Sequence, residues 1–133
     1  MIVLDEQLLG RNLEGAIARW YQGAVCFITD LRPDSVIKDD AIPYLLQQQS
    51  QATFVTINER DFWQKVAITE RFCVVCFALS DSRATEISPR LRLLFRHPLF
   101  ATKRLRMGKV ILVTGQAVSY YTFDDRRVKI VEA

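Results

Sequence analysis

Residues 1–8, MIVLDEQL, place four apolar residues directly before two acids. An uninterrupted apolar run of this kind is typical of a strand that is buried on both faces, as in the middle of a parallel sheet. Asp5 ends the run, and apolar residues then recur at helical spacing, which predicts an amphipathic helix over residues 7–21. The chain therefore begins with a strand and a helix, and acidic side chains follow the end of the strand.

The same alternation continues along the chain. Strands are predicted in six further runs rich in β-branched and aromatic residues: AVCFIT (24–29), TFVTI (53–57), FCVVCFAL (72–79), KVILVTG (109–115), AVSYYTF (117–123) and RRVKIVE (126–132). Helical patterns lie between them, at residues 38–49, within 61–68 and from Ser88 to Pro98. Strands that alternate with helices predict an α/β fold with a mostly parallel sheet covered on both faces, to which the tail adds antiparallel edge strands.

The length and composition predict one globular domain over residues 1–133. Half of the residues are hydrophobic and a quarter are charged. No apolar run approaches the roughly 18 residues that suggest a membrane span. The first residues carry acids where an export signal carries Lys or Arg. We therefore expect a cytoplasmic protein with no membrane partner.

The three cysteines are expected to be core thiols. Cys73 and Cys76 have CxxC spacing, but they lie inside an apolar run that predicts a buried strand. A redox CxxC pair usually opens a helix, and a zinc site needs a second pair of ligands. The same expectation holds for Cys26, which lies in another predicted strand.

The net charge of +3 is unevenly distributed along the chain. Residues 1–66 hold 6 Lys and Arg against 9 Asp and Glu, whereas residues 67–133 hold 12 against 6. This asymmetry fits a protein that holds a cation in one place and a polyanion beside it. A basic surface that serves only solubility fits it equally well.

Polar side chains follow the predicted strands at the edge where open α/β sheets bind their ligands. In chain order these are Asp5 and Glu6, Asp30, Asn58 and Glu59, together with Asp39 and Asp40 at the start of the second helix and Asp61 shortly after the third strand. Oxygen ligands of this kind are what Mg²⁺ and Mn²⁺ prefer. Helix capping, turn formation or simple solvation would explain each of these acids except Asp5. Asp5 directly follows a buried strand, where an unpaired charge is costly.

These segments resemble the PIN-like proteins, short bacterial domains related to the VapC-type PIN ribonucleases of toxin–antitoxin pairs. The resemblance rests on Asp5-Glu6-Gln7-Leu8, on Asp39-Asp40-Ala41-Ile42, and on Val55-Thr56 leading to Asn58 and Asp61-Phe62. It covers nearly the whole chain and implies a three-layer sandwich, with a mostly parallel central sheet, helices on both faces and a C-terminal β-hairpin. The chain departs from the family pattern in two ways: Asn58 replaces an acid, and one extra residue separates it from Asp61.

The resemblance implies metal-assisted hydrolysis of RNA. Asp5, Asp40 and Asp61 would be the catalytic residues, and Mg²⁺ or Mn²⁺ would be bound by these three with Glu6 and Asn58. Basic residues of the second half would contact RNA phosphates; those expected to do so are Arg96, Lys103, Arg104 and Arg106. An antitoxin protein and a second copy of the chain are further candidate partners.

Two other functions are compatible with the same residues. The first is a catalytically inactive PIN-like domain that binds a protein or RNA partner, which Asn58 and the altered spacing favour. The second is a receiver-like or flavodoxin-like signalling domain, since such domains also place acids at strand ends around Mg²⁺. Receivers need an Asp after the third strand, and here that strand leads to Asn58.

Overall fold

Residues 1–131 are described by the computed structural model, which has the expected α/β fold built on a mostly parallel sheet of seven strands. The strands are Ile2–Leu4 (β1), Val25–Phe27 (β2), Ala52–Thr56 (β3), Phe72–Phe77 (β4), Lys109–Val113 (β5), Val118–Thr122 (β6) and Asp125–Val131 (β7). The α-helices are Leu13–Ala18 (α1), Ile28–Leu31 (α2), Ile42–Gln47 (α3), Glu59–Phe62 (α4), Ile87–Leu94 (α5) and Lys103–Arg106 (α6). Short 3-10 turns cover Glu6–Leu8, Asp39–Ala41 and Asp81–Glu86. Glu132, the last residue of the predicted RRVKIVE strand, lies outside the described residues.

The strand order is β2-β1-β3-β4-β5-β6-β7. Strands β1 to β5 are parallel to one another, and β6 and β7 run antiparallel to their neighbours. The chain moves from β1 to β2 on one side and then returns past β1 to β3 on the other. Ligands of open α/β sheets bind outside the strand ends at such a reversal. The fold therefore directs attention to the carboxyl ends of β1 and β3.

Helices cover both faces of the sheet. Leu4 and Val55 pack on one face with α1 and α5, whereas Val3 and Phe54 pack on the other with α3 and α4. Alternate residues of a strand point to opposite faces, so a central strand covered on both sides needs the continuous apolar run that the sequence shows. This packing fixes the strand ends from both sides. Within residues 1–131, no helix is long and apolar enough to cross a membrane.

The CxxC cysteines are core residues, as predicted. Cys73 and Cys76 are three residues apart in β4, so they face opposite sides of the sheet and pack in different hydrophobic clusters. All three cysteines are free thiols. Burial raises the pKa of the Cys73 thiol to about 12. Cys73 and Cys76 therefore act as small hydrophobic residues.

The predicted helix over residues 7–21 is wrong in its extent. A 3-10 turn covers Glu6–Leu8, and the α-helix spans only Leu13–Ala18. The backbone between them has left-handed φ angles of 80° at Gly10 and 54° at Asn12. Such residues end a right-handed helix, so the segment after Asp5 is a turn and a short helix.

The predicted strand AVCFIT is also shorter than expected. It ends at Phe27, and Ile28–Leu31 forms a helical turn. The Phe27 backbone N–H donates to Asp30 Oδ2 at 2.8 Å, which stabilises the start of this turn. The Asp30 carboxylate thus stabilises its own turn, in agreement with its interpretation as a turn residue.

Candidate functional site

Two polar segments meet at the reversal point of the sheet. Asp5 directly follows β1, and Asn58 lies two residues after the end of the adjacent strand β3. The Asp5 backbone N–H donates to the Val55 carbonyl at 3.0 Å, which extends the pairing of the two strands to their ends. The parallel arrangement therefore brings the residues after β1 and β3 to the same edge.

Asp5 is a buried acid, with 5% of its surface exposed. Its Oδ2 accepts a hydrogen bond of 2.6 Å from the Thr56 hydroxyl, at the last residue of β3. Burial raises the pKa of the Asp5 carboxyl, and the charges of Asp39 and Glu6 raise it further. The hydrogen bonds from Thr56 and from the Glu6 backbone lower it. The carboxylate is thus held in a fixed position, but its negative charge is poorly compensated.

A chain of hydrogen bonds connects Asp5 to the start of α4. The Asn58 backbone N–H donates to Thr56 Oγ1 at 2.9 Å. The Asn58 side chain caps α4, because its Oδ1 accepts from the Asp61 backbone N–H at 3.3 Å. Its Nδ2 donates to Asp61 Oδ2 at 2.7 Å. Thr56 and Asn58 therefore connect the carboxylates of Asp5 and Asp61 in one hydrogen-bonded series.

A third segment adds carboxylates to this edge. Asp39 begins the 3-10 turn before α3. Partial burial raises its pKa, and the negative charge of Asp61 raises it further. Glu6 and Asp40 contribute smaller effects in the same direction. Asp5, Glu6, Asp39, Asp40 and Asp61 are called the carboxylate cluster below.

The chemistry of the cluster fits a hard divalent cation. Its donors are carboxylate oxygens, and Asp61 is near enough to Asp39 for its charge to raise the pKa of that carboxyl. Among residues 1–131, no group of three or more His, Cys, Asp or Glu side chains forms a ready metal site. Mg²⁺ is usually bound by one or two carboxylates together with substrate phosphates and water. An open cluster of this kind is compatible with that mode of binding.

The predicted site residues fall into two groups. The first group lies close together: the charge of Glu6 raises the pKa of Asp5, and the charge of Asp61 raises the pKa of Asp39, which also influences Asp5. The sequence analysis assigned Asp40 to the site, whereas it is the pKa of its neighbour Asp39 that the charge of Asp61 raises. Asn58 lies at the same edge, but its amide is used to cap α4 and to hold Asp61. Asp40 is exposed in the same turn, as is Asp39.

The residues expected to contact RNA do not surround this cluster. Arg106 is 4% exposed; its guanidinium lies 3.8 Å from the centre of the Phe95 ring and donates to the Phe100 carbonyl at 2.9 Å. This corrects the sequence interpretation, because Arg106 is a buried structural residue. Arg96 is exposed two residues after the end of α5.

Lys103 and Arg104 are exposed, but they lie at the other edge of the sheet. Lys103 is close enough to the Met1 amine, at the start of β1, to lower the pKa of that group together with burial and Arg106. Arg104 lines a hollow with Gln51 and Arg71, which directly precede β3 and β4. These two basic residues therefore face the amino ends of the strands, whereas the cluster lies at the carboxyl ends.

Sequence reasoning missed three residues that adjoin acids of the cluster, one in space and two along the chain. Thr56 holds the Asp5 carboxylate, and the signal for it was a hydroxyl at the last position of a buried strand. Lys38 precedes Asp39, and Arg60 precedes Asp61; both are exposed, and neither makes an ion pair in the described part of the chain. Each is thus an exposed basic residue next in sequence to an acid of the cluster.

The fold and site define a class of protein: an α/β domain with a carboxylate cluster where its parallel sheet reverses. Comparison of the chain with protein-family models, with curated proteins and with solved structures found no significant match. Its function is therefore inferred from its own residues.

Proposed function

We propose that this chain is a PIN-like, metal-dependent ribonuclease in which Asp5, Asp39 and Asp61 are the central carboxylates. The observation that carries the proposal is that acids from three distant segments lie close enough, at the reversal point of the sheet, for their charges to raise the pKa of Asp5 and of Asp39. The proposal includes the PIN-like sandwich, with β6 and β7 as its C-terminal hairpin. It also includes a cytoplasmic location and a role as the toxin of an antitoxin pair.

The carboxylates would hold Mg²⁺ or Mn²⁺, with Glu6 and Asp40 as additional oxygen donors. Such an ion supplies charge stabilisation at a phosphate and lowers the pKa of a bound water. The protein itself holds the carboxylates in position. Thr56 fixes the Asp5 carboxylate, and Asn58 fixes Asp61 through the bond from Nδ2. No nucleophilic side chain is needed for this type of hydrolysis.

The phosphate backbone would be bound by Lys38 and Arg60. Each of these residues is adjacent in sequence to an acid of the cluster, and each is exposed. Contacts between Lys or Arg and phosphate do not depend on base sequence and weaken with salt. The proposal thus moves the RNA surface from α6 to the edge that carries the carboxylates.

Cleavage of RNA in Mn²⁺ and in EDTA tests the proposal. The wild-type chain should cleave in Mn²⁺ only, and Asp5→Asn and Asp61→Asn should lose the activity. Asp34→Asn is the matched control, since Asp34 is exposed outside the cluster and its φ of 61° is one that Asn also adopts. Equal cleavage by the wild type and Asp5→Asn would refute the assignment.

A catalytically inactive PIN-like binding module is the second candidate. The hydrogen bond from Asn58 to Asp61 favours it, because this amide brings no charge and occupies one oxygen of the carboxylate. This candidate predicts RNA or protein binding without Mn²⁺ uptake. Calorimetric titration with Mn²⁺ separates the two, since only the nuclease should release or absorb heat on binding the ion.

One feature of the fold favours a receiver-like domain, and two features of the sequence argue against it. The order β2-β1-β3-β4-β5 is also found in receiver and flavodoxin-like sheets. A receiver, however, needs an acid directly after β3 and a Lys after β5. Here β3 is followed by Ile57 and Asn58, and β5 by Thr114 and Gly115. Failure to take up phosphate from a small phosphodonor would complete the exclusion.

A further inference from the structure

A hollow of about 530 Å³ lies on the sheet face that α5 covers. Its walls are the second half of α5 with the residues that follow it, and the turn between β5 and β6. None of its lining residues belongs to the carboxylate cluster. The volume is in the range of small-molecule sites, which is about 300–1,000 Å³.

The lining of the hollow is mostly apolar. Its apolar residues come from three parts of the chain: Leu93, Leu94, Phe100, Val113, Ala117, Val118 and Val131. Leu93 is 69% exposed although it is a large aliphatic residue. An apolar concave surface of this size gains free energy when an apolar body displaces water from it.

Three backbone N–H groups around the hollow already have partners. In the β5–β6 turn, the Ala117 N–H donates to Thr114 Oγ1 at 3.0 Å, and the Thr114 N–H donates to the Ala117 carbonyl at 3.0 Å. On the opposite wall, the His97 N–H donates to the Leu94 carbonyl at 3.0 Å. An extended peptide binds chiefly through free backbone groups of a strand. These three N–H groups are therefore not free to pair with an extended peptide.

Two donors at the rim are available for an anion. Arg96 is exposed and makes no ion pair within residues 1–131, whereas Arg90 is bound to Glu86 at 2.9 Å. His97 Nδ1 accepts from the Leu99 N–H at 3.1 Å, so the proton of the neutral ring is on Nε2. The rim thus combines one positive charge with a second N–H donor.

We propose that this hollow binds a small amphipathic carboxylate. Its apolar body lies between α5 and the β5–β6 turn, and its carboxylate is held by Arg96 and His97. The complementarity of charge excludes a cationic amphiphile, and the apolar lining excludes a small hydrophilic anion such as acetate. The site shares no residue with the carboxylate cluster, so its test is independent of the proposed nuclease activity.

Isothermal titration calorimetry with decanoate tests the site, with decyltrimethylammonium and acetate as ligands that lack the charge or the apolar body. Decanoate should bind with 1:1 stoichiometry, and the other two should not. Arg96→Gln should weaken decanoate binding about tenfold, since a hydrogen bond to a charged group contributes about 1.5 kcal/mol or more. Leu93→Ser should weaken it as well, through the loss of apolar contact.

Matched controls come from neighbouring exposed residues outside the hollow. Arg92→Gln on α5 and Leu105→Ser on α6 should leave decanoate binding unchanged. All four substitutions are at exposed positions, so circular dichroism should show an intact fold. Absence of saturable decanoate binding, equal binding of decyltrimethylammonium, or equal losses in Arg92→Gln and Arg96→Gln would overturn the proposal.

Discussion

The Thr56 hydroxyl donates to the Asp5 carboxylate across 2.6 Å, and this bond joins the ends of the two strands that flank the reversal of the sheet. Both residues are buried, with Thr56 fully inaccessible. A buried carboxylate with a fixed hydrogen bond and acidic neighbours is costly for the folded chain, because burial and repulsion both disfavour its charge. Such a feature is expected where the charge has a function.

Replacement of Thr56 should show that its hydroxyl positions Asp5. Thr56→Val removes the donor to Asp5 and the acceptor for the Asn58 N–H, so we expect a loss of about 1–3 kcal/mol in the free energy of unfolding. Thr56→Ser keeps the hydroxyl and should lose less. Urea denaturation of both variants measures the difference, and equal losses would mean that only the volume of the side chain matters.

Asp5→Asn should raise stability while it removes ion binding. Without a cation, the amide carries no buried charge, and the Thr56 hydroxyl can rotate to pair with it. We expect a gain of about 1 kcal/mol in the metal-free chain. Thermal melts with and without Mn²⁺ provide the measurement. Mn²⁺ should raise the melting temperature of the wild type only. A variant that melts lower than the wild type without metal would contradict this explanation of the raised pKa.

Asn58→Asp restores the acid that the PIN-like pattern has at this position. The substitution removes the bond from Nδ2 to Asp61 Oδ2 and places two carboxylates in contact, so the metal-free chain should lose about 1 kcal/mol. The added charge should strengthen Mn²⁺ binding several-fold. Calorimetric Mn²⁺ titrations of wild type and variant test this. Unchanged or weaker binding would remove residue 58 from the ion site.

The two arginines of α6 should differ in their contribution to stability. Arg106→Ala should cost about 2 kcal/mol, because Phe95 loses its stacked guanidinium and the Phe100 carbonyl loses its donor. Arg104→Ala, at an exposed position in the same helix, should stay within about 0.5 kcal/mol of the wild type. Urea denaturation distinguishes them. Similar losses in both variants would contradict the buried role of Arg106.

RNA affinity should depend on the edge that carries the cluster. The pair Lys38→Gln and Arg60→Gln should weaken RNA binding and reduce its salt dependence, since each lost phosphate contact lowers the slope of log affinity against log salt by about 0.7 for a single strand. The matched pair Lys103→Gln and Arg104→Gln should change both quantities less. Fluorescence anisotropy over a range of salt concentrations measures them, and the reverse ranking would return the RNA surface to α6.

The sequence predicted the parts of this structure that depend on simple periodicity. The apolar run before Asp5 and the runs that became β3 and β4 were identified, since a strand buried on both faces must be apolar throughout. Once these strands were identified, the acids at their ends could be predicted to lie at one edge of the sheet. Helix lengths were less accurate, because left-handed residues at Gly10 and Asn12 interrupt an otherwise helical pattern.

The sequence pattern could not predict which way individual side chains point. Asp39 and Asp40 are adjacent and identical in type, and only the geometry of the turn before α3 decides that the pKa of Asp39 is raised by the charge of Asp61. Arg106 looked like one of several surface cations, but the packing of α6 against Phe95 buries it. Both facts depend on tertiary contacts between segments that are distant along the chain.

The central claim is that carboxylates from three segments bind one divalent cation, and paramagnetic broadening by Mn²⁺ tests it most directly. In two-dimensional NMR spectra, trace Mn²⁺ should broaden the amide signals of Glu6, Asp40 and Asp61 together and should spare Arg104 at the other edge of the sheet. Asp5→Asn should abolish the effect, and Asp34→Asn should not. Broadening confined to other acids, or unchanged in Asp5→Asn, would contradict the account.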